Sequence, residues 1–289
     1  MEKAVPKGAA GRMTDLDMDA DMERRFGGLE RLYGAPGLAR LTQAHVAVAG
    51  IGGVGSWCVE ALARSGIGAL TLIDLDHVAE SNINRQLHAL TETLGQAKVE
   101  AMAARVRGIN PACRLNLVDD FVTPENVEQV LAPDVTLLVD CTDQITAKTA
   151  MILACRDRKR PVVVCGGAGG KTDSLSLRAS DLSGALNDAL LAKLRNTLRR
   201  KHGYPKASDQ AGKVRKRVPK MGVRTLWFDQ PAQLPHLWLE ETAQAEAAGT
   251  ALQGLSCAGY GSSVTVTAAM GMAAANEAIT WLLTGRYAA

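Results

Sequence analysis

The sequence HVAVAGIGGVG at residues 45–55 contains the features that decide the fold. An apolar run typical of a buried strand leads into the glycine turn GIGGVG, and residues 54–66 then have helical spacing. Glycines at such a turn let the backbone approach a phosphate, and the helix start supplies N–H groups and partial positive charge. Asp74 ends the next apolar run, where a carboxylate can accept hydrogen bonds from a ribose. The stretch predicts a nucleotide site but leaves the nucleotide open, because a nicotinamide dehydrogenase would use the same parts.

Composition limits the class of protein. The 289-residue chain is 47% hydrophobic and 22% charged with net charge +3, which excludes intrinsic disorder and a small disulfide scaffold. The six cysteines form no CxxC pair, so we expect no zinc, and reduced thiols in a cytoplasmic protein. Aromatic residues make up 4% of the chain, too few for a base-stacking surface. The uncharged stretch 251–276 is rich in Gly, Ser, Thr and Ala, which favours a buried core segment over a membrane span.

Strand-like and helix-like segments alternate along the middle of the chain. This alternation predicts an α/β, Rossmann-like fold with a mostly parallel sheet and helices on both faces. Residues 1–23 lack clear periodicity and are expected to form a disordered tail. We expect the nucleotide-binding core at 24–170, a basic insertion or crossover region at 171–250, and a C-terminal loop and helix packing back on the core at 251–289.

Three residues beyond the glycine turn distinguish between nucleotides. Arg85 lies in NINRQ at 82–86, Lys98 follows 13 residues later, and Asp143 ends DCTD at 140–143. Hydride transfer needs none of them, whereas cleaving a nucleoside triphosphate at its α-phosphate needs cations for the phosphates and an acid for Mg²⁺. Each residue alone has an ordinary explanation as a solvated lysine, a surface ion pair or a helix cap. Their joint appearance in this order favours triphosphate chemistry.

With these motifs the chain resembles the E1-like adenylating enzymes, which include activators of ubiquitin-like and of sulfur-carrier proteins. The resemblance is strongest over residues 24–170 and implies a homodimer that binds ATP with Mg²⁺. Arg85 and Lys98 would bind the triphosphate, and Asp143 would hold the metal ion. The implied nucleotide-binding residues are Gly50, Gly52, Gly53, Gly55, Asp74, Asp76, Asn82, Asn84, Arg85, Gln86, Lys98 and Asp143.

The resemblance also implies a residue that acts across the dimer. An arginine ahead of the first strand, Arg25 or Arg31, would reach the nucleotide of the neighbouring subunit. Two departures from the pattern matter: the sulfur-carrier activators usually carry two CxxC pairs, and the motif DNxxxR is here Asp143-Gln144 with Lys148.

Longer matches indicate one branch of that family. RFGGLERLYG, EALARSGIGALTLIDLD, NINRQLHAL and DALLAKLRNTLR resemble the tRNA threonylcarbamoyladenosine dehydratases, from about residue 24 to residue 283. The resemblance implies that ATP activates the threonine carboxylate of a modified adenosine beside the tRNA anticodon. Activation would release pyrophosphate, and ring closure to cyclic threonylcarbamoyladenosine would then release AMP. It also implies a monovalent cation, K⁺ or Na⁺, near residues 166–170 and a partner system of cysteine desulfurase and sulfur acceptor.

A basic stretch supports an RNA substrate. Residues 193–224 hold 12 of the 33 Lys and Arg residues and a single acidic residue, Asp209. A solvated surface loop would look similar, but cations concentrated on a nearly neutral protein create a local field suited to a phosphate backbone. The candidate tRNA-binding residues are Arg199, Arg200, Lys201, Lys213, Arg215, Lys216, Arg217 and Lys220.

Cys257 and two alternative functions stay open at this point. Cys257 lies in GLSCAGYG, where its thiol could approach the nucleotide or pack as a small buried residue. The first alternative function is activation of a ubiquitin-like or sulfur-carrier protein, and the missing CxxC pairs count against it. The second is a nucleotide-binding redox protein or scaffold, in which Arg85, Lys98 and Asp143 would have no role.

Overall fold

The structure, a computed structural model, describes residues 15–209, 213, 215–233 and 260–288. Within these residues one sheet of seven strands lies between two layers of helices. The strands are β1 (His45–Ala49), β2 (Ala69–Ile73), β3 (Arg114–Val118), β4 (Leu137–Asp140), β5 (Val162–Cys165), β6 (Leu177–Asp181) and β7 (Arg224–Phe228). The helices are α1 (Asp15–Gln43, kinked at Gly34), α2 (Gly55–Arg64), α3 (Lys98–Ile109), α4 (Val127–Val130), α5 (Ile145–Asp157), α6 (Ala189–Lys201) and α7 (Val264–Thr284).

The strand order is β3-β2-β1-β4-β5-β7-β6, and every neighbouring pair is parallel except β6 with β7. This arrangement confirms the predicted α/β fold with a mostly parallel sheet. The chain proceeds outward from β1 to β2 and β3, and then returns to place β4 on the other side of β1. The loops that follow β1 and β4 therefore run in opposite directions from the carboxyl ends of these two strands. Open α/β sheets bind ligands at such switch points.

Alternating side chains of the strands build a core on each face of the sheet. Val46 and Val48 of β1 face the layer that contains α2, α3 and α7, whereas Ala47 and Ala49 face α4, α5 and α6. Both faces of the sheet are therefore covered, as the apolar strand sequences predict for parallel strands.

The C-terminal helix α7 packs closely on α2, the helix that follows the glycine turn. This close approach is possible because residue 271 is glycine: a Cβ there would lie 2.4 Å from the Val54 carbonyl oxygen. Within the described part of the chain, no helix combines the length and apolarity that crossing a membrane requires.

The first boundary differs from the sequence-based expectation. Helix α1 begins at Asp15, so residues 15–23 are helical rather than a disordered tail, and residues 1–14 lie outside the described residues. Arg25 provides a physical reason, because its guanidinium bonds Asp21 at 2.6 Å and the Ile109 carbonyl at 3.2 Å. These bonds tie the early turns of α1 to the end of α3.

The region after residue 170, which was expected to be a basic insertion or crossover, also contains two strands of the sheet. It contributes β6, β7 and α6. Leu191, Leu194 and Leu198 are buried at helical spacing on α6, and the dense cations between them obscured that period. β6 is an edge strand with partly exposed residues, so it lacks the continuous apolar run of the central strands.

Candidate active site

A cleft of about 940 Å³ opens at the carboxyl ends of the central strands, next to the switch point between β1 and β4. The glycine turn after β1 and the loops after β2, β4 and β5 form its walls, together with residues 260–262 and the start of α7. Most of the predicted nucleotide-binding residues line it: Gly50, Gly52, Gly53, Asp74, Asp76, Asn84, Arg85, Gln86, Lys98 and Asp143.

The glycine turn is so tight that two of its glycines tolerate no side chain. Gly50 has φ 83°, and a Cβ there would lie 2.9 Å from the carbonyl carbon of Cys141. A Cβ on Gly55 would lie 1.8 Å from the carbonyl oxygen of Gly50. Gly55 was predicted as a ligand residue, but it makes the turn compact and does not line the cleft. The first turn of α2 carries no acidic side chain, so the positive end of this helix is available to an anion.

Asp74 joins the glycine turn to the loop after β2. Its Oδ2 accepts a 2.6 Å hydrogen bond from the Ile51 N–H, and its Oδ1 accepts a 2.9 Å bond from the Asp76 N–H. Lys98 is buried beside this pair, with Nζ 4.0 Å from Asp74 and 2.7 Å from Asp76 Oδ2. Burial raises the pKa of Asp74, and the opposing Lys98 charge offsets part of that effect. The lysine is thus held on the cleft wall by carboxylates, at the place where an anionic ligand would meet it.

Arg85 lines the same wall, and its own loop holds its guanidinium. Nη1 donates to the Ser81 carbonyl at 2.7 Å and to Asn84 Oδ1 at 3.0 Å. The base of the side chain lies against the glycine turn, where a Cβ on Gly53 would come within 3.3 Å of Arg85 Cγ. A side chain at position 53 would therefore require Arg85, and Thr267 at 3.2 Å, to shift by a few tenths of an ångström.

Of the three amide side chains near Arg85, Asn84 and Gln86 line the cleft and Asn82 does not. Asn82 is buried outside the cleft lining, and its Oδ1 accepts a 3.2 Å bond from the Ala79 N–H, which closes a local turn. Asn84 Nδ2 donates to the Ser262 carbonyl at 2.9 Å. Gln86 is buried and lines the cleft, and its Oε1 has no hydrogen-bond partner among the described residues.

Asp143 lies exposed on the opposite side of the cleft, in the loop after β4. Below it, Asp140 and Lys148 form a fully buried ion pair of 3.1 Å. Lys148 Nζ also donates to the Cys165 carbonyl at 2.9 Å, and Asp140 Oδ1 accepts a 2.7 Å bond from the Thr142 hydroxyl. Lys148 supports the loop that presents Asp143 and does not face the cleft.

One part of the cleft wall was missed in the sequence, and another was anticipated only through the stretch GLSCAGYG at residues 254–261. Asp120, Phe121 and Val122 line the cleft from the loop after β3. They could have been found, because the carboxyl ends of parallel strands meet at one edge of the sheet. Residues 260–262 form the other part, and the Gly261 carbonyl accepts a 2.8 Å bond from the Gly170 N–H. No local motif indicated this long-range bond.

The remaining catalytic candidates lie elsewhere. Arg25 is bonded within its own chain to α3, and Arg31 borders a separate surface cavity of about 720 Å³ along α1. Neither lines the cleft of its own chain, which leaves a role across a dimer as a prediction. Cys257 lies outside the described residues.

The predicted tRNA-binding cations are not equally exposed to solvent. Arg199 is partly buried, its Nε donates to the Pro205 carbonyl at 3.0 Å, and burial lowers the pKa of its guanidinium. It is therefore a poor candidate for binding a phosphate. The other candidates are exposed: Arg200, Lys201, Lys213, Arg215, Lys216, Arg217 and Lys220.

Comparison with known proteins places this cleft in a family. The sequence pattern of the ThiF family matches residues 27–287. The chain belongs to the ThiF family. This ThiF-family chain is 41% identical over 262 residues to the tRNA threonylcarbamoyladenosine dehydratase of Haemophilus influenzae, covering 90% of the chain and 94% of that relative. It is 43% identical over 258 residues to the dehydratase of the same name from Escherichia coli, covering 89% and 92%.

A solved structure supports the same assignment to the ThiF family. The crystal structure of E. coli tRNA N6-threonylcarbamoyladenosine dehydratase, TcdA, in complex with ATP matches with a TM-score of 0.78 and 40% identity. The match covers 92% of this chain and 96% of the other. These findings confirm the resemblance seen in the motifs.

Proposed function

We propose that this protein is an ATP-dependent tRNA threonylcarbamoyladenosine dehydratase. The observation that carries the proposal is a switch-point cleft in which a glycine turn is flanked by Arg85 and Lys98 on one side and Asp143 on the other. The relatives that align with about nine-tenths of the chain are dehydratases by name, and one was crystallised with ATP. A redox protein would have no use for two cations and a carboxylate placed around a triphosphate site.

The chemistry begins with a carboxylate, which is a poor electrophile because its leaving group would be oxide. In the proposed reaction the threonine carboxylate attacks the α-phosphate of ATP, and pyrophosphate leaves. A nucleophile within the same threonylcarbamoyl group then attacks the acyl-adenylate, the ring closes, and AMP leaves. Because the nucleophile is tethered, the second step has the effective concentration of an intramolecular reaction. Lys98 and Arg85 would stabilise the charge that develops as pyrophosphate departs.

The donors near Asp143 suit Mg²⁺ carried by ATP. Among the described residues no three His, Cys, Asp or Glu side chains converge on a metal position. Mg²⁺ is commonly held by one or two carboxylates together with phosphates and water, so a single exposed carboxylate at the cleft fits this ion. Bound there, Mg²⁺ would neutralise phosphate charge, and Asp143 would be its ligand from this chain.

The exposed cations of the basic segment (residues 200–220) would receive the tRNA. The described residues of the segment are anchored, because the Arg215 N–H donates to the Ala207 carbonyl at 3.0 Å. Just beyond the segment, Asp181 accepts from the Gly222 N–H at 2.7 Å. An anchored segment can present several cations to a phosphate backbone with little additional ordering.

Four finer features remain predictions that rest on the family resemblance. They are the homodimer, an arginine acting across it, a K⁺ or Na⁺ ion near residues 166–170, and a sulfur-transfer partner. At the loop 166–170, Asp188 already accepts bonds of 2.8 Å from the N–H groups of both Gly167 and Leu191. The Asp188 carboxylate therefore ties this loop to the start of α6.

The direct test measures AMP formation and the mass of the modified nucleoside. We expect AMP, pyrophosphate and loss of one water from the nucleoside with tRNA that carries threonylcarbamoyladenosine, and no reaction with tRNA that lacks it. Lys98→Ala should slow AMP formation by about 10²- to 10³-fold, because one group that stabilises the transition-state charge is removed. The exposed Lys159 supplies the matched control, and Lys159→Ala should react like the wild type.

Other outcomes would overturn the proposal. AMP formation that depends on a sulfur-carrier protein and not on modified tRNA would identify a protein activator. Micromolar binding of NAD without binding of ATP would identify a redox protein.

A further inference from the structure

Asn84 lies where two parts of the cleft wall meet. One part is Arg85, whose Nη1 donates to Asn84 Oδ1 at 3.0 Å. The other is the crossing segment, defined as residues 260–263, whose Ser262 carbonyl accepts a 2.9 Å bond from Asn84 Nδ2. Both ends of the amide are therefore engaged with protein groups, although Asn84 itself is exposed.

The crossing segment runs from one rim of the cleft to the other. On the far rim, the Gly261 carbonyl accepts a 2.8 Å bond from the Gly170 N–H, in the loop that follows β5. On the near rim, Asn84 holds the next residue, Ser262. The segment continues directly into α7, which packs on the helix after the glycine turn. The Asn84 amide thus links this segment to Arg85.

The guanidinium of Arg85 is oriented by the same amide. Among the described residues, both of its hydrogen bonds use Nη1, one to Ser81 and one to Asn84. The other N–H groups of the guanidinium are left for a ligand. Residue 84 must therefore accept a hydrogen bond from Arg85 and donate one to the Ser262 carbonyl. An asparagine side chain can do both, whereas an aspartate carboxylate can only accept.

We infer that Asn84 is a positioning residue that orients Arg85 and ties it to the crossing segment, so that the cation and the far wall of the cleft are aligned with each other. The inference rests on the proposed function, because it needs Arg85 to act on the triphosphate. It assigns Asn84 a task other than direct nucleotide binding.

The experiment compares five variants in single-turnover AMP formation on modified tRNA, with ATP affinity measured by calorimetry. They are Asn84→Ala, Asn84→Asp, Arg85→Ala, the double variant Asn84→Ala/Arg85→Ala, and the control Asn116→Ala. Asn116 is an exposed asparagine on β3 with a single long side-chain bond of 3.4 Å, to Thr71. Thermal unfolding of each variant checks that the fold is intact.

Asn84→Ala should slow AMP formation about tenfold, the effect of removing one ordinary hydrogen bond in the transition state, while ATP affinity changes less than threefold. Asn84→Asp should be at least as slow, because it lacks the donor to Ser262 and its new charge competes for Arg85. In the Arg85→Ala background, Asn84→Ala should add less than a twofold decrease, since the residue acts through Arg85. Asn116→Ala should match the wild type.

Each contrary result has a distinct meaning. Full additivity of the two substitutions, or a wild-type rate for Asn84→Ala or Asn84→Asp, would overturn the positioning role while the proposed function stands. Retention of the wild-type rate by Arg85→Ala would instead remove the role assigned to Arg85, and this inference with it.

Discussion

At the scale of single residues, the site consists of charges whose positions depend on protein partners. Lys98 is 5% exposed and would be costly to bury alone, but Asp76 holds it at 2.7 Å on the cleft wall. Arg85 is similarly held by Ser81 and Asn84. The motifs identified the two cations, because triphosphate chemistry demands them. They could not identify the partners, because a motif specifies a residue type and not the direction of its hydrogen bonds.

His88 is expected to make stability depend on pH. It is 1% exposed, and neither ring nitrogen has a hydrogen-bond partner among the described residues. Burial, reinforced by the charges of Lys98 and Arg105, lowers the pKa of His88 from 6.5 to about 4. Between these values the unfolded chain binds the proton and the folded chain does not, so stability falls as the pH falls. At pH 5 this residue should lower the free energy of unfolding by about 2 kcal/mol relative to pH 7.

Urea unfolding at pH 7 and pH 5 measures this effect. The variant His88→Leu should lose about 2 kcal/mol less than the wild type over that interval. His77 is exposed, so His77→Leu should keep the wild-type dependence. Equal pH sensitivity of the wild type and His88→Leu would show that His88 is not the source.

At the scale of elements, predictions succeeded where one periodicity dominated. β1 and β2 were predicted because each is a buried, largely apolar run, which ends at Gly50 in the first case and at Asp74 in the second. α6 was missed because its three buried leucines are embedded among cations. The close approach of α7 to α2 could not be found either, since it depends on which face of each helix meets the other.

The packing of α7 on α2 should be sensitive to a single methyl group. In Gly271→Ala the new Cβ would lie 2.4 Å from the Val54 carbonyl oxygen and 2.8 Å from Trp57 Cβ. The helices must separate, which should cost about 1–3 kcal/mol of the free energy of unfolding. Gly108 lies in α3 and a Cβ there meets nothing within 4 Å, so Gly108→Ala should stabilise by about 0.5–1 kcal/mol. Chemical denaturation measures both, and a Gly271→Ala variant as stable as the wild type would disprove the close packing.

At the scale of the whole molecule, the fold and the location of the site followed from the sequence, but the charge distribution did not. Twelve cations crowd residues 193–224. In the folded protein three of these cations are bonded to other protein groups. Arg224 pairs with the buried Glu277 at 2.8 Å, and Arg195 and Arg199 donate to backbone carbonyls. The sequence shows how many cations the segment contains, but only the structure shows which of them are exposed and can contact a tRNA.

The cations that remain exposed lead to the last prediction. Replacing Arg215, Lys216 and Arg217 together with glutamine should weaken tRNA binding, reduce its salt dependence and leave ATP affinity unchanged. Each tRNA phosphate that no longer meets a cation should reduce the slope of log K against log salt by roughly 0.7–0.9. We expect one or two phosphates to be affected rather than three, because adjacent side chains diverge and Arg215 Nε already donates to the Ser208 carbonyl at 3.2 Å.

The control removes the same charge from other exposed positions, by replacing Arg107, Lys159 and Arg178 with glutamine. If only the net charge mattered, the tRNA affinity of both triple variants would fall equally. If the segment is a local binding surface, the tRNA affinity of only the first variant falls. tRNA affinity across a salt series separates these cases. If the plots of log K against log salt coincide for the first variant and the wild type, this segment does not touch RNA. The tRNA would then have to enter over another face of the cleft.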